Sequence, residues 1–289
     1  MPIGLTIGVF ATLIVWVSAW YTRDQIPHLK KIKDDLPGFS IKQLLTEILL
    51  CFQNKNYLWL LLGLLCLAAT NGVRETMSAY VNLFFCELEP NQLRYFGLTT
   101  PVAFIVAFIA TPRLHSRFDK QRTMIGAVGV YAIATTLPIV LRMLGVFPGN
   151  DHPALFPLLA TFVAVYYGAV AVLSITVLSA LADVADDYEL TTGRRQEGIF
   201  YSARTFVSKM TSGLGLLIGG IAIDVINWPT GVTSAASIDP DTLFKLALID
   251  GPIAAIPPLF AIFFYGRHRI NKRRYEEIHA LLAARLAAE

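Results

Sequence analysis

The feature that most limits the possible folds is a series of long apolar blocks separated by polar connections. The blocks occupy residues 3–21, 57–85, 98–109, 124–144, 155–181, 199–226 and 243–265. A helix needs about 20 mostly apolar residues to cross the roughly 30 Å hydrocarbon core of a bilayer. We extend the short third block to residue 115 despite Pro101, because a membrane helix tolerates proline where its neighbours satisfy the freed carbonyl. The sequence therefore predicts an all-α integral membrane protein with seven transmembrane helices.

The composition fits a membrane environment and argues against several other classes of protein. Only 16% of the residues are charged and 55% are hydrophobic, whereas soluble domains carry about 25% charged residues. A net charge of +3 with dispersed basic residues does not indicate a nucleic-acid surface. The three cysteines show no spacing typical of a metal cluster or a disulfide framework. We therefore expect the lipid bilayer as a partner, and neither nucleic acid nor a bound metal.

The basic residues are concentrated in alternate connections. They are frequent in residues 22–56, 110–123, 182–198 and 266–289 and scarce in 86–97, 145–154 and 227–242. The positive-inside rule places the basic connections in the cytoplasm. The first block lacks a basic n-region and a small-residue cleavage site, so we predict a retained helix instead of a signal peptide. The N-terminus is predicted outside and the C-terminus in the cytoplasm, in the bacterial inner (plasma) membrane.

The long second connection divides the chain. Apolar residues at helical spacing within it (Phe39, Ile41, Leu44, Leu45, Ile48 and Leu49) predict either an amphipathic helix at the interface or a linker helix packed on the bundle. The predicted organisation is a transmembrane helix in 1–22, a cytoplasmic linker in 23–56, a six-helix unit in 57–266 and a basic cytoplasmic tail in 267–289. The tail's composition fits anchoring against anionic lipid.

A polar stripe crosses the sixth block. Ser202, Thr205, Lys209 and Ser212 are spaced 3, 4 and 3 residues apart, with Arg204 one step around the helix. Lys209 lies about 15 Å from the cytoplasmic end at 1.5 Å per residue, and ionisable groups at that depth usually face a bundle interior or a water-filled path. The stripe therefore predicts part of a substrate or cation pathway. A lysine that snorkels or pairs only for packing is the alternative.

A second polar stripe lies in the second block. It comprises Asn71, Arg74, Glu75, Ser78 and Asn82. Arg74 and Glu75 are about 100° apart on a helix, so they reach different partners. We assign the stripe to the same pathway, with a purely structural helix–helix pair as the alternative.

Other residues of the apolar blocks receive weaker assignments. We include Tyr167 in the pathway and rank Asp250 lower, because it lies within reach of the outer interface. The GxxxG pattern of Gly215 and Gly219 indicates close helix packing. Prolines are predicted to break the last helix and to expose backbone groups that need partners: Pro252, Pro257 and Pro258.

The connection 182–198 holds carboxylates before Gly193 and mostly basic residues after it. These are Asp183, Asp186, Asp187 and Glu189, then Arg194, Arg195 and Glu197. Such a cluster forms ion pairs in one conformation that break in another, which predicts a cytoplasmic gate or conformational switch. The alternative is an Mg²⁺-dependent membrane prenyltransferase, but those enzymes use two acidic motifs and no second one lies on this membrane face.

This connection and the following helix carry a long signature. It consists of Asp183, Asp186, Glu189, Gly193, Arg195, Glu197, Tyr201, Ser202, Thr205 and Lys209. With these residues and gaps, the chain resembles the glycoside-pentoside-hexuronide:cation symporters, the melibiose permease group of the major facilitator superfamily. It departs from that pattern where Asp187 and Tyr188 replace Tyr-Gly.

The resemblance implies a transporter of two six-helix halves that hold the substrate between them at mid-membrane and alternate access by rocking. Lys209 matches a functionally important lysine of the family, and Thr205 matches a polar residue near the substrate and cation region. The seven helices correspond to helix six, the central linker and the C-terminal half. We therefore expect a truncated chain, a misassigned start, or a half-transporter that needs a partner half.

The resulting functional hypothesis is symport of a polar solute, such as a sugar or glycoside, with Na⁺ or H⁺. No cofactor other than the coupling ion is expected. A transporter of lipids or other amphiphiles is the nearest alternative. The alternatives of another class are the prenyltransferase-like enzyme and a nonfunctional half-bundle subunit.

Overall fold

The computed structural model describes residues 2–28, 46, 49–193, 196–232 and 234–288. The chain divides into two compact units, residues 1–44 and 45–289. The first unit contains α1 (Pro2–Thr22) and a 3-10 turn (Arg23–His28). Most of the predicted amphipathic helix of the linker lies outside the described residues.

The described part of the second unit is helical throughout its membrane region. Its helices are α2 (Lys55–Tyr80), α3 (Pro90–Arg117), α4 (Lys120–Met143), α5 (Leu155–Thr192), α6 (Glu197–Val225), α7 (Pro240–Leu248), α8 (Ile256–Gly266) and α9 (Lys272–Ala288). A π-helical turn (Val81–Phe85) extends α2, and another (Ile249–Ile253) joins α7 towards α8. Six described spans are long and apolar enough to cross a membrane. Together with α1 they match the seven predicted blocks, and the predicted all-α membrane fold is confirmed.

Local sequence signals set several helix ends. Asn54 caps α2, because its Oδ1 accepts the Tyr57 N–H at 3.1 Å. At the start of α3, the Gln92 side chain accepts the Glu89 N–H at 2.9 Å. Gly193 ends α5 with φ +71°, a left-handed conformation that favours glycine.

The six spans form two groups of three with matching contacts. α2 packs on α6 and α3 packs on α5, while α4 packs on α5 and α8 packs on α2. The first group is α2, α3 and α4, and the second is α5, α6 and α7/α8. When corresponding helices are exchanged, the α2–α6 contact becomes the α5–α3 contact, and the α4–α5 contact becomes the α8–α2 contact. Since three crossings reverse the chain direction, the two groups run oppositely. Such an inverted repeat is the arrangement that the resemblance to major-facilitator transporters implies for one half of the bundle.

Glycines allow the closest of these contacts, between α2 and α6. A Cβ at Gly72 would lie 2.3 Å from the Ser212 carbonyl oxygen, and one at Gly215 would lie 2.5 Å from the Ala69 carbonyl oxygen. A Cβ at Gly219 would lie 2.8 Å from the Thr76 Cβ. The GxxxG prediction of close packing is therefore confirmed.

The last span is interrupted as its prolines predict. The Ala254 N–H donates to the Ile249 carbonyl at 3.0 Å, in a five-residue π step. In a regular helix that N–H would donate to the Asp250 carbonyl. The Asp250 carbonyl oxygen is thus available to accept a hydrogen bond from another helix, and this contact shapes the candidate site described below.

Candidate functional site

A cavity of about 360 Å³ lies between α2, α4 and α5. It is away from the end of the bundle that carries the basic residues of 110–123 and 266–289, which we call the basic end. We call it the outer cavity. Its polar lining includes Asn71, Arg74, Glu75, Ser78, Tyr167 and Asp250. Two turns of α2 thus present polar side chains to one space, as their helical spacing requires. The structure therefore brings together four of the predicted pathway residues: Asn71, Arg74, Glu75 and Tyr167.

An ion pair forms one wall of the outer cavity. The Arg74 Nη1 lies 3.2 Å from the Asp250 Oδ1, and the two side chains are 17% and 1% exposed. The same Nη1 donates to the Asp250 carbonyl oxygen at 3.0 Å, so Arg74 satisfies the acceptor released by the π turn. The Oδ1 contact is not aligned as a hydrogen bond, and this oxygen has no hydrogen-bond donor among the described residues.

A second, smaller cavity of about 140 Å³ lies on the other side of Asn71. We call it the inner cavity. The Asn71 Oδ1 accepts the Tyr131 hydroxyl at 2.9 Å, and Asn71 lines both spaces. Because Asn71 is near the middle of the span Lys55–Phe85, the two cavities lie on opposite sides of the middle of this span.

The inner cavity contains buried polar atoms without hydrogen bonds. It is lined in part by Ser174, Arg204, Ser208 and Tyr265. The Arg204 Nε and the Tyr265 hydroxyl are buried and have no hydrogen-bond partner within the described part of the chain. An unsatisfied buried polar group costs about 1–3 kcal/mol, so water or a polar ligand is the expected partner here. Arg204, a predicted pathway residue, thus lines the same cavity as Asn71.

The rest of the predicted stripe on α6 lies elsewhere. Ser202, Thr205 and Lys209 are on the exposed face of α6 and line neither cavity. The Thr205 hydroxyl donates to the Tyr201 carbonyl at 2.9 Å, within its own helix. The role of these three residues in the pathway stays a prediction.

Sequence reasoning ranked Asp250 too low and did not assign Tyr131. Asp250 is not wetted at the outer interface but is buried against Arg74. The available signal was Pro252, two residues later, because a proline disturbs the regular hydrogen-bond pattern of the helix around it. Nothing in the local sequence of Tyr131 distinguishes it from a packing aromatic.

A second group of charged residues lies at the basic end. The Lys120 Nζ lies 2.6 and 2.8 Å from the two carboxylate oxygens of Asp183, and Asp183 is buried. The Arg274 Nη2 lies 2.9 Å from the Asp187 Oδ1, and the His279 Nε2 lies 3.4 Å from the Asp186 Oδ2. The acidic end of α5 therefore pairs with α4 and α9.

Helix α9 reaches this cluster by docking on the bundle. Ile278 is 1% exposed and belongs to the core formed with α5 residues. The basic tail, expected to face anionic lipid, thus has a protein partner along part of its length. Within the tail, the direct hydrogen bond from Arg274 to Asp187 raises the pKa of the Arg274 guanidinium.

The other predicted gate residues flank the turn after α5. Glu189 lies in the last turn of α5 and Glu197 begins α6, while Arg195 lies outside the described residues. A conformational switch at this cluster stays a prediction. Among the described residues, no group of three or more His, Cys, Asp or Glu side chains is placed to hold a metal ion.

The family comparison gives the decisive observation for this fold. The family described as MFS/sugar transport protein matches residues 1–272. The chain belongs to this family. The major facilitator resemblance is therefore confirmed, and the family is one of transporters, not of prenyl-transferring enzymes.

Individual relatives of this family member are distant and longer. It is 24% identical over 280 residues to an uncharacterized symporter of Synechocystis, covering 94% of this chain and 49% of that protein. It is 22% identical over 255 residues to a proposed sulfoquinovose importer of Salmonella typhimurium, covering 87% of this chain and 50% of the relative. A proposed sulfoquinovose importer of Escherichia coli is 21% identical over 260 residues, with 89% and 52% covered. The chain spans about half the length of these curated relatives.

Proposed function

We propose that this bundle forms one side of a secondary transporter that moves a polar, sugar-type solute by alternating access. The observation that supports this proposal is the outer cavity, where the partly exposed Arg74 and the buried Asp250 lie beside Asn71 near the middle of the membrane span. A polar wall at this depth is costly unless it meets water or a polar ligand. A sugar-transport family and relatives named as a symporter and as sulfoquinovose importers agree with such a ligand.

The cavity offers the complementary chemistry that a polyhydroxylated solute needs. Arg74 supplies guanidinium donors, and Asn71 and Ser78 supply short polar groups. Glu75, exposed at the cavity, supplies carboxylate acceptors. Tyr167 adds an aromatic ring against which the apolar face of a sugar ring packs. Each sugar hydroxyl both donates and accepts hydrogen bonds. A cavity wall that offers donors and acceptors therefore suits a sugar better than a wall of one charge.

Coupling to Na⁺ or H⁺ belongs to the same proposal. Lys209 lies twelve residues into α6, about 18 Å along the helix, on an exposed face. An ammonium at that depth needs a polar partner, which a second six-helix half would supply together with a cation-binding carboxylate. In this account Ser202, Thr205 and Lys209 face that second half and the solute path between them.

The proposed orientation follows the basic residues. The end that carries Lys120, Arg122 and the α9 helix faces the cytoplasm, and the outer cavity lies towards the opposite side of the inner membrane. Opening towards the cytoplasm then requires the Lys120–Asp183 and Arg274–Asp187 pairs to move or to break. The acidic end of α5 is the proposed cytoplasmic gate.

Uptake by variants of the ion pair tests the proposal. Radiolabelled neutral and sulfonated monosaccharides are offered to cells that produce the complete transporter, with the Na⁺ or H⁺ gradient varied. Arg74→Gln is expected to reduce uptake at least ten-fold, because the solute loses a charge-assisted hydrogen bond. Arg94→Gln, which removes an exposed arginine of α3 outside both cavities, is the matched control.

A double variant separates solute binding from a purely structural ion pair. If Arg74 only neutralises Asp250, Arg74→Gln combined with Asp250→Asn restores uptake, because no unpaired buried charge is left. We expect the double variant to reach the membrane normally and to stay inactive. Restored uptake would remove Arg74 from the solute site, and unchanged uptake in Arg74→Gln would overturn the proposal itself.

A further inference from the structure

A third space in the bundle is apolar and separate from the solute path. It is a groove of about 450 Å³ at the basic end, lined by Leu114, Phe118, Arg122, Gly126, Val130 and Val172, among others. We call it the lateral groove. It lies where α3 and α4 both pack on α5. Phe118 and Val130 are 42% and 44% exposed, so the groove is open along its side.

The lateral groove lies on a different face of α5 from the two cavities. Ala169 and Val172 line the groove, whereas Tyr167 and Ser174 line the cavities. At 100° per residue, the groove residues are centred roughly 120° around α5 from the residues that line the two cavities. The groove therefore has no part in the proposed solute path and needs a different occupant.

Small residues make the groove deep enough for a chain of methylene groups. A Cβ at Gly126 would have no atom within 4 Å, and Ala127 and Ala169 form the buried floor. From Arg122 to Val130 the groove follows α4 for eight residues, about 12 Å. Half of a bilayer's hydrocarbon core is about 15 Å thick, so its length matches the acyl chain of one leaflet.

The mouth of the groove is positively charged. Arg122 lines it, and the Arg117 Cζ lies 5.6 Å from the ring centroid of Phe118, another lining residue. Neither arginine has an ion-pair partner in the part of the chain that the structure describes. Lys120, between them in sequence, is bound to Asp183. Guanidinium groups bind phosphate oxygens bidentately, so the charge complements an anionic headgroup.

We propose that the lateral groove binds one anionic phospholipid from the leaflet at the basic end. One acyl chain lies along Gly126 between α3 and α4, and the headgroup phosphate contacts Arg117 and Arg122. The lipid fills the gap that α3 and α4 leave over α5, and it thereby stabilises the packing of these three helices. This inference does not depend on the identity of the solute.

Native mass spectrometry of the detergent-solubilised full chain tests this site. The probes are dioleoyl phosphatidylglycerol and dioleoyl phosphatidylcholine, which share acyl chains and differ in headgroup charge. We expect one tightly retained phosphatidylglycerol, bound roughly five-fold more tightly than phosphatidylcholine for one added charge contact. Replacement of both arginines, Arg117→Gln with Arg122→Gln, is expected to abolish this preference. Lys272→Gln, which removes an exposed charge at the same end, is expected to keep it.

A second pair of variants tests the acyl-chain part of the groove. Gly126→Leu places a side chain in the groove and is expected to weaken binding of both lipids at least five-fold. Gly97→Leu adds the same side chain to an exposed, open position of α3 outside the groove and is expected to change nothing.

Photolabelling locates the lipid without any substitution. Phosphatidylglycerol with a diazirine in its acyl chain is expected to label Leu114, Val130 and Val172. Equal affinity for the two lipids, full binding by Gly126→Leu, or labelling spread evenly over the exposed faces of α3 and α6 would each overturn the proposal.

Discussion

At the scale of single residues, the position of Arg74 follows from a backbone defect in another helix. The π turn around Pro252 frees the Asp250 carbonyl, and Arg74 binds both this carbonyl and the Asp250 side chain. The guanidinium is thereby fixed at the cavity while 17% of its side chain stays exposed. A residue held in this way is pre-organised for a ligand, because it loses little rotamer entropy on binding.

His268, just after α8, gives a residue-scale prediction about pH. Burial and the positive charge of Lys120 lower its pKa to about 4, whereas an unfolded histidine titrates near 6.5. Between these values the unfolded chain binds a proton that the folded chain does not, so stability falls as the pH decreases from 6.5 to 4. His268→Phe is expected to reduce this loss of unfolding free energy by about 3 kcal/mol.

Thermal unfolding in detergent across this pH range measures the effect of His268. Phenylalanine keeps the ring and leaves no acceptor unpaired, since neither ring nitrogen of His268 has a hydrogen-bond partner among the described residues. The exposed His152 is the control, and His152→Gln is expected to retain the parent pH dependence. The same pH dependence in His268→Phe and the parent would contradict the assignment.

At the scale of helices, the two glycines at the α2–α6 crossing set the distance between these helices. The main chains touch at Gly72 and Gly215, where even a methyl group would overlap a carbonyl oxygen. Membrane helices rely on such close packing, because lipid provides no hydrophobic force between them. The crossing also fixes the α2 stripe and Arg204 of α6 relative to each other.

Alanine substitutions on α6 test this crossing. Gly215→Ala is expected to destabilise the bundle by about 1–3 kcal/mol through overpacking, because its methyl group would lie 2.5 Å from the Ala69 carbonyl oxygen. Gly213→Ala, two residues earlier, has no atom within 4 Å of its methyl group and controls for helix propensity. Thermal unfolding followed by size-exclusion chromatography compares them. Equal stability of the two variants would show that the close contact is unimportant.

The sequence predicts the positions of the helices more completely than it predicts which side chains pair between them. Apolar blocks and prolines predict the spans and the break near Pro252, because both depend on local composition. The α2 stripe likewise predicts that Asn71, Arg74 and Glu75 share a face. The Arg74–Asp250 pair joins residues 176 positions apart, and hydropathy contains no information about such pairing. For the same reason, the sequence predicts that the basic tail faces anionic lipid, whereas Arg274 of that tail binds Asp187.

At the scale of the whole molecule, the inverted repeat explains where the cavities lie. Because exchanging the two groups of three helices preserves their contact pattern, α2 and α5 are equivalent elements. Both line the outer and inner cavities, on either side of Asn71. In the proposed function, a solute that passes from one cavity to the other moves along this pair. The charged cluster, as the proposed cytoplasmic gate, lies at the basic end of that path, and the lateral groove lies outside it.

Protection of a cysteine in the outer cavity tests the central claim most directly. Ser78→Cys is introduced into the complete transporter after replacement of Cys51, Cys66 and Cys86, and its alkylation by a small thiol reagent is timed with and without a transported sugar. We expect the sugar to slow alkylation at position 78 at least five-fold and to leave a Gly97→Cys control unchanged. Equal alkylation rates at position 78, measured in a variant that still transports the sugar, would contradict the account.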